Sequence, residues 1–382
     1  MQRNRPLQAT SILSLVALFT ATAIAQAPSQ LGAFTRPVSA PVITPSKLST
    51  FTDPITQAPV HWEALHTFNP AAIVRDARIY VLYRAEDDSG AMKIGGHTSR
   101  LGLASSTDGL TFTRQPEPVF FPADDAQKSR EWPGGVEDPR LVQSPDDSSQ
   151  PGIYVLTYTQ YNHVTYDIGI ATSPDLLHWT KHGPALLGAA DGRYDHLQYK
   201  SGGIVTRLAP TPSNPDRIVA AKIHGLYWMY WGEIIVRLAT SPDLIHWTPV
   251  EDPHTHKPIE VLTKRPGHFD SGFPEVGPPP LLTPAGIVVL YNGKNDPTSG
   301  DKTLGSNAYA AGEAIFSPDN PAHLLSRTEA PILKPEQPFE KTGQYAAGTT
   351  FAEGLVHFGS RWFLYYGCAD SAVGVATSPP TH

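Results

Sequence analysis

Two adjacent carboxylates occur in the segment Gly134–Arg140, whose sequence is Gly-Gly-Val-Glu-Asp-Pro-Arg. Glu137 and Asp138 precede a proline and Arg140 at the start of a predicted strand. An acidic group beside a guanidinium can serve as a general acid, since a fixed positive charge tunes its protonation. The alternative interpretation is a turn with a surface ion pair, the more common setting for a lone Glu-Asp sequence. Spacing alone does not separate the two.

A second group of polar residues follows Asn69 and Pro70. The segment Arg84–Asp87 ends one predicted strand, and Ser99 and Arg100 precede the next. Arginines and carboxylates at strand ends can bind the hydroxyl groups of a sugar, because they present charged donors and acceptors on a surface. Ordinary solvated strand ends are the alternative interpretation.

Two glutamates flank aromatic and proline-rich segments later in the chain. Glu233 follows the aromatic pair Tyr230-Trp231, and Glu275 precedes the rigid run Gly277–Pro280. Either glutamate could be a base that activates water. Trp228 or Trp231 could stack on a sugar ring, although packing in the core is the better interpretation for most of these aromatic residues.

Glu353 lies among apolar residues in the segment Ala352–Leu355, and Asp370 ends the segment Tyr366–Asp370. A glutamate buried in such surroundings needs a partner, because an unpaired buried charge is costly. A structural salt bridge is the alternative to a role in substrate binding.

A recurring phrase shows how these residues would be positioned. Its copies lie about 70 residues apart, a regular interval typical of repeat architectures, and occur at Ser106–Phe112, Ser173–Trp179, Ser241–Trp247, Ser317–Asp319 and, truncated, Ser378-Pro379. Upstream of each copy lies a strand pattern rich in aromatic and β-branched residues, at Ile79–Arg84, Ile153–Tyr158, Tyr227–Trp231, Ile287–Tyr291 and Trp362–Tyr366. Five units of several strands predict an all-β, five-bladed β-propeller, with N-terminal residues completing the last blade.

The N-terminus has the pattern of a signal peptide. Arg3 and Arg5 precede the apolar stretch Ile12–Ile24, which is too short to span a membrane, and Ala25–Ala27 is a plausible cleavage site. We therefore expect a leader over residues 1–27, a single propeller domain over 28–382, and a secreted or periplasmic protein without a membrane anchor after cleavage. Cys368 is the only cysteine, so an internal disulfide is excluded.

Composition and missing motifs narrow the chemistry. The net charge of -7 with no basic block argues against nucleic acid as a partner, and a small neutral carbohydrate is compatible with it. The sequence has no G-x-S-x-G elbow, phosphate-binding loop or dinucleotide fingerprint, and its 15 histidines lack the H-E-x-x-H spacing. No cofactor and no metal are expected.

From about Asn69 to Ala376 the sequence resembles glycoside hydrolase family 130, the β-mannoside phosphorylases and β-mannosidases on five-bladed propellers. The similarity lies in a series of short motifs in a fixed order: Asn69-Pro70, Tyr83–Ala85, Ser99–Gly102, Gly135–Arg140, Gly277–Pro280, Pro331–Leu333 and Tyr365–Ser371. The resemblance implies inversion at the anomeric carbon. Inversion needs room for the attacking species, so the two carboxylates should stand about 6.5–9.5 Å apart.

The resemblance also implies roles for individual residues. Asp138 would be the proton donor, acting through a mannose hydroxyl on the glycosidic oxygen. Asn69, Arg84, Arg100, Lys222 and Asp370 look like contacts to the non-reducing mannose. The remaining members of the expected substrate-binding set are Asp87, Glu137, Arg140, Asp270, Glu353 and Tyr366.

The attacking species would be phosphate or water. Phosphorylases of this family usually carry a His-Arg pair after the aromatic strand, where this chain has Gly232-Glu233, and small neutral residues where it has Glu275. Two carboxylates there would repel phosphate and favour water. With Glu353, they resemble the hydrolytic branch, whose members cleave β-1,2-mannosides, and export fits the same interpretation.

Three other functions are weighed against hydrolysis. A phosphorylase remains an alternative, with a phosphate site built from Arg193, Lys200, Arg207 and Arg237. A non-catalytic sugar-binding propeller is another. An arabinosidase-type propeller matches poorly, because the motif order differs.

Overall fold

The computed structural model describes Met1 and residues 29–380, and nearly all regular structure in these residues is β-strand. The helical elements described are one turn of α-helix, α1 (Lys128–Glu131), and one 3₁₀ turn, Pro338–Glu340. Within this part of the chain no helix is both long and apolar enough to cross a bilayer. The expected signal peptide, apart from Met1, lies outside the described residues and stays a prediction.

The strands of residues 29–380 form the predicted five-bladed propeller. A hairpin of β1 (Phe51–Thr52) and β2 (Pro59–Val60) precedes the first blade. The strands of blade 1 are β3 (His66–Arg75), β4 (Arg78–Glu86), β5 (Ser99–Ser106) and β6 (Thr113–Arg114). Those of blade 2 are β7 (Gly135–Gln143), β8 (Tyr154–Tyr161), β9 (Tyr166–Ser173) and β10 (Thr180–Pro184).

Blades 3 to 5 repeat the antiparallel meander. The sheet of blade 3 contains β11 (Gly202–Ile204), β14 (Lys222–Ile223), β15 (Leu226–Trp231), β16 (Val236–Ser241), β17 (Thr248–Pro249) and β18 (Glu260–Leu262). The hairpin of β12 (Thr206–Leu208) and β13 (Ile218–Ala220) follows β11 and joins the edge of the blade 4 sheet. The strands of blade 4 are β19 (Phe273–Val276), β20 (Leu281–Thr283), β21 (Gly286–Lys294), β22 (Tyr309–Phe316) and β23 (Leu324–Arg327). Blade 5 contains β24 (Thr350–Phe358), β25 (Arg361–Cys368) and β26 (Ala372–Thr377).

The aromatic and β-branched segments noted in the sequence all fall in the middle strands β4, β8, β15, β21 and β25. Middle strands are covered on both faces by the neighbouring blades, so large apolar side chains there fill the spaces between blades. Tyr83, Tyr158, Tyr230, Tyr291 and Tyr365, one from each of these strands, are buried. The core of the protein is therefore a set of interfaces between blades.

Residues near the start of the described chain complete blade 5, as the truncated last repeat predicts. Thr35 pairs antiparallel with Thr377, and Ile43 pairs antiparallel with Val373 on β26. The amide of Val373 donates to the carbonyl of Ile43 at 2.9 Å. The ring is therefore closed by hydrogen bonds between segments that are more than 300 residues apart.

The Ser-x-Asp repeat forms the turn that ends the third strand of a blade. In the second copy, Ser173 Oγ accepts from the amides of Asp175 and Leu176 at 3.2 and 2.8 Å. Asp175 Oδ1 accepts from the next two amides, those of Leu177 and His178. Side chains that bond neighbouring amides stabilise tight turns. The repeat therefore carries turn geometry, and its histidines, His178 and His246, are exposed.

Three of the innermost strands contain a β-bulge at a residue that the sequence motifs single out. The pairing register shifts at Asn69 in β3, at Asp138-Pro139 in β7 and at Glu353 in β24. A bulge adds an unpaired residue and re-aims its side chain. Each of these polar side chains therefore leaves the regular alternation of its strand.

Because the N-terminal segment closes the ring, a substitution that removes its buried contacts should lower the free energy of unfolding. We expect Ile43→Ala to lower the free energy of unfolding by about 2–5 kcal/mol, because the side chain is fully buried against blade 5. Leu48→Ala is the matched control, since Leu48 is 94% exposed and should change stability by less than about 0.5 kcal/mol. Urea denaturation measures both, and equal effects would contradict the closing role.

Candidate active site

A polar cavity of about 370 Å³ opens where the innermost strands β3, β7 and β19 begin. Every blade contributes at least one polar side chain to its wall. Its lining residues are Phe68, Asn69, Arg84, Ile94, Gly95, Glu137, Asp138, Thr159, Tyr161, Tyr166, Lys200, Glu233, Glu275, Tyr309, Tyr345, Phe351 and Asp370. Seven of the expected site residues therefore meet in one cavity, although they are spread over about 300 residues of sequence.

Arg84 on β4 is the centre of the charge network. Its Nη2 lies 2.7 Å from both Glu86 Oε1 and Glu137 Oε1, and its Nη1 lies 3.1 Å from Asp138 Oδ1. Its Nε donates to Ser99 Oγ at 3.0 Å, and the guanidinium stacks on Phe68 at 4.5 Å from the ring centre. One buried cation therefore orients three carboxylates through charge-assisted hydrogen bonds.

Asn69 and Asp138 approach each other from neighbouring blades. Asn69 Nδ2 donates to Asp138 Oδ1 at 2.8 Å. Both have left-handed backbone angles, with φ of 44° and 47°, and both precede a proline. Asn and Asp tolerate this region better than most residues, but it remains strained. The buried Asn69 Oδ1 has no partner among the described residues, so it is a free acceptor beside Asp138.

Glu137 and Asp138 have opposite protonation preferences. Burial raises the pKa of Glu137, and Arg84 only partly opposes this. Burial also disfavours ionised Asp138, but Arg84, Lys200 and the Asn69 amide outweigh it and lower its pKa. Because the two groups share Arg84, they titrate as a pair. Near neutral pH the pair can therefore hold one proton, so that one of the two carboxyl groups is protonated and the other is ionised.

Glu233 and Glu275 form a second carboxylate pair around Lys200. Their backbones pair as an antiparallel bridge, which places the two side chains side by side. Lys200 Nζ lies 3.1 Å from Glu233 Oε2 and 3.6 Å from Glu275 Oε1. Ser201 Oγ donates to Glu275 Oε1 at 2.6 Å. Burial raises the pKa of Glu275, and the charge of Lys200 opposes that shift.

Asp370 completes the cavity from blade 5. It has a left-handed backbone, with φ of 51°, in the turn between β25 and β26. Burial raises its pKa to about 7, against the lowering effect of Arg84. Gly367 on β25 makes room for this arrangement, because a Cβ there would lie 2.3 Å from Asn69 Oδ1.

Arg100 and Asp87 do not line the cavity, contrary to their expected contacts with substrate. Arg100 is 1% exposed, with its Nη2 2.6 Å from Asp53 and its Nη1 2.5 Å from Asp87. These pairs attach the β1–β2 hairpin to blade 1. Both charges are satisfied inside the protein, so neither side chain is free to bind a sugar.

Arg140 and Glu353 lie beneath the cavity. Arg140 donates to the carbonyl oxygens of Val276 at 2.7 Å and Gly277 at 2.9 Å, which connects blade 2 to blade 4. Its Nη1 lies 2.8 Å from Glu353 Oε1. Burial raises the pKa of Glu353 well above its usual range, and Arg140 opposes this. Glu353 contacts Arg140 and does not line the cavity, so a structural role fits it better than contact with substrate.

Asp270, Tyr366 and Lys222 are also away from the cavity. Asp270 is buried and pairs with Arg265 and Arg327 at 2.9 and 2.6 Å. The hydroxyl of Tyr366 donates to Glu340, and Lys222 is exposed on β14 above the ring of Tyr227. A polar residue near a strand end often pairs locally, and the sequence pattern does not show which direction it faces.

Most of the tryptophans and cations considered for binding sugar or phosphate lie outside the cavity. Trp228 and Trp231 lie outside the 370 Å³ cavity, and Trp231 packs in the core. Of the four cations considered for phosphate, Lys200 lines the cavity. Arg193, Arg207 and Arg237 do not, and Arg193 and Arg237 pair with Glu251 and Glu260.

Reasoning from sequence missed the aromatic part of the wall. Tyr161, Tyr166, Tyr309, Tyr345 and Phe351 surround the carboxylates. Apolar faces of this kind suit the carbon-rich faces of a sugar ring. Their sequence signal is the same as that of the aromatic residues that fill the blade interfaces, so the pattern could not separate them.

A five-bladed propeller with two carboxylate pairs in an aromatic-walled cavity has the architecture of a carbohydrate-active enzyme. The model of glycoside hydrolase family 130, described as beta-1,4-mannooligosaccharide phosphorylase, matches residues 37–381. The chain therefore belongs to glycoside hydrolase family 130, whose members act on mannosides. The expected family is confirmed.

Individual relatives agree with this family. The chain is 29% identical to a 1,2-beta-oligomannan phosphorylase of Thermoanaerobacter sp. (strain X514), over 84% of this chain and 92% of that protein. A glycosyl hydrolase structure from Bacteroides ovatus shares 47% identity at a TM-score of 0.86, covering 92% of this chain and 96% of that one.

A third relative is a solved structure from the GH130 family of mannoside phosphorylases, described as containing glycoside hydrolases that target beta-1,2 mannosidic linkages in Candida mannan. It shares 48% identity at a TM-score of 0.86, covering 91% of this chain and 94% of that one. The relatives therefore include both phosphorylases and hydrolases.

The raised pKa of Asp370 predicts a pH-dependent stability. The unfolded carboxyl titrates near pH 3.9, and the folded one at about 7. The folded protein therefore binds the extra proton, and its stability falls as pH rises through this window. We expect Asp370→Asn to reduce that fall, since Asn also tolerates the left-handed backbone. Urea denaturation between pH 4 and 7 measures this, and parallel curves for the two proteins would refute it.

Proposed function

We propose that the protein is an inverting, exo-acting β-mannosidase that hydrolyses β-1,2-linked mannosides. The observation that carries this proposal is the pair Glu233 and Glu275 around a single cation, Lys200. In the proposed reaction, water attacks the anomeric carbon and the bond to the glycosidic oxygen breaks. A water proton passes to the glutamate pair, and the glycosidic oxygen takes a proton from Asp138 through a mannose hydroxyl.

Charge argues for water over phosphate as the nucleophile. Two carboxylates against one ammonium leave a net negative charge when both are ionised, and like charges repel a phosphate dianion. A phosphate site needs several converging cationic donors. Among the residues that line the cavity, the cations are Arg84 and Lys200, and both are already engaged by carboxylates.

The acid side of the reaction rests on the Glu137–Asp138 pair. Asp138 prefers to be ionised in the free protein, whereas burial raises the pKa of Glu137. We propose that the pair holds the catalytic proton between them and that Asp138 delivers it once a sugar hydroxyl replaces solvent. Asn69, Arg84 and Asp370 would hold the non-reducing mannose, because they surround Asp138 in the cavity.

Two of the relatives support the substrate class. The hydrolases named with a β-1,2-mannosidic target share 48% identity with this chain, and the named phosphorylase of 1,2-β-oligomannan shares 29%. Both names contain the same linkage. We also propose that the protein is exported, because residues 1–27 have the pattern of a signal peptide.

Phosphorolysis is the second candidate, and Lys200 is the observation that favours it. An ammonium group beside the nucleophile position could bind one phosphate oxygen, as a lysine does at many phosphate sites. In that case mannose 1-phosphate would form in place of mannose. The two glutamates beside Lys200 make this the weaker proposal.

Product analysis separates the two reactions. With β-1,2-mannobiose in phosphate-free buffer, we expect mannose at a rate that added phosphate does not raise, with α-mannose as the first anomer seen by NMR. Asp138→Asn should lower kcat by about 10²- to 10⁴-fold, because it removes the proton donor. Formation of mannose 1-phosphate that depends on phosphate would contradict hydrolysis, and full activity of Asp138→Asn would contradict the assigned acid.

Substitution of the glutamate pair tests the base. We expect Glu233→Gln and Glu275→Gln each to lower kcat by about 10²- to 10⁴-fold, with KM much less affected. Glu260→Gln is the matched control, because Glu260 is an exposed glutamate in blade 3, the blade of Glu233, and pairs with Arg237 outside the cavity. If both cavity variants kept the rate of the control, water activation by this pair would be wrong.

A further inference from the structure

Two histidines and a glutamate converge beside the cavity. His66 starts β3, Glu86 ends β4, and His97 lies in the loop before β5. One ligand atom from each, a ring nitrogen or a carboxylate oxygen, lies within 4.8 Å of the others. Glu86 and His97 are buried, and His66 is partly exposed. Metal bonds to nitrogen and oxygen ligands are about 2.0–2.2 Å long, so the three side chains would draw closer together to share one ion.

Each imidazole ring has a hydrogen-bond partner at its Nδ1 atom, which orients the ring. His97 Nδ1 donates to the carbonyl of Ser89 at 2.8 Å, since a carbonyl can only accept. This bond sets the tautomer and leaves a lone pair on His97 Nε2. His66 Nδ1 lies 2.9 Å from Ser371 Oγ. Neither Nε2 atom has a hydrogen-bond partner among the described residues. Metal-binding histidines are oriented in the same way, by a second partner on the other ring nitrogen.

The surrounding charge also favours a cation. The guanidinium of Arg84 carries one positive charge, but three carboxylates contact it, those of Glu86, Glu137 and Asp138. Burial of such an excess of carboxylates is unfavourable unless one of them is protonated or further positive charge is near. Glu86 Oε2 accepts from Gln344 Nε2 at 3.1 Å, so one lone pair of that oxygen remains for an ion.

We propose that His66, Glu86 and His97 bind a divalent transition-metal ion of the zinc type, with water at the fourth position. Two imidazole nitrogens and one carboxylate oxygen are a ligand set that Zn²⁺ accepts. The site is distinct from the proposed reaction, since neither histidine lines the cavity. It differs from the expectation of no metal, which rested on the lack of a short histidine motif.

The ion would fasten the loop between β4 and β5. This loop carries Ile94 and Gly95, which form part of the cavity wall, and His97 lies at its base. The bond from His97 to Ser89 joins the two ends of the loop. A metal bridge from His97 to β3 and β4 would therefore hold that side of the cavity in place.

Calorimetric titration of tag-free, EDTA-treated protein with Zn²⁺ tests the site. We expect one equivalent to bind, a Zn²⁺-dependent rise in Tm, and d–d absorption typical of tetrahedral coordination with Co²⁺. His66→Gln and His97→Gln should weaken binding by at least about 10-fold, the lower end of what loss of a supporting residue costs. His182→Gln is the control, since His182 is an exposed histidine in blade 2 that bonds Thr172 and lies outside the proposed site.

A milder variant protects the test against misfolding. Ser371→Ala removes the partner of His66 Nδ1 and should weaken Zn²⁺ binding by about 10- to 100-fold while circular dichroism remains that of the wild type. Lack of saturable binding by the wild type would overturn the proposal. Equal affinity in the wild type, His66→Gln and His97→Gln would overturn it as well. Neither result depends on whether the enzyme hydrolyses or phosphorolyses mannosides.

Discussion

Arg84 is the constraint on which the rest of the cavity depends. Its guanidinium contacts Glu86, Glu137 and Asp138, and these acids come from two different blades. A single buried cation among several carboxylates stabilises some of them as anions and leaves others protonated. The unequal protonation of Glu137 and Asp138 follows from this competition. Removal of the cation would leave like charges buried together, so the acid pair and its blade contacts depend on the same side chain.

The propeller supplies what such a network needs. Each blade brings at least one polar group to the cavity, and bulges at Asn69 and Asp138 turn two of these groups out of the regular strand pattern. Beneath them, Arg140 binds backbone carbonyls of blade 4. The carboxylates above are therefore held by backbone that cannot shift easily, and preorganised polar groups of this kind are the usual source of catalytic power.

Much of the fold was predictable because each repeat contains a turn whose residues can be recognised from the sequence. Serine and aspartate side chains bond nearby amides, so the turn shows itself in a few consecutive residues. The acid pair and the two glutamates were also recognisable, since charges interrupt strands that are otherwise apolar. Confirmation of the family agrees with the order of these motifs.

Other parts of the site could not be predicted from the sequence, for physical reasons. Arg100 and Arg84 look alike at strand ends, but one closes an internal ion pair and the other faces the cavity. The orientation depends on a partner, Asp53, from a hairpin far away in sequence. His66 and His97 come together only because β3, β4 and β5 are neighbours, and their spacing along the chain carries no motif.

The pairing of Thr35 with Thr377 and of Ile43 with Val373 has a consequence for how the molecule forms. These contacts span almost the whole described chain, and contacts of such long range slow folding because much chain entropy is lost before they form. Every blade supplies part of the cavity wall. A chain with four finished blades and an open ring would therefore have its separate elements in place and no complete pocket, so activity should emerge only at the last step of assembly.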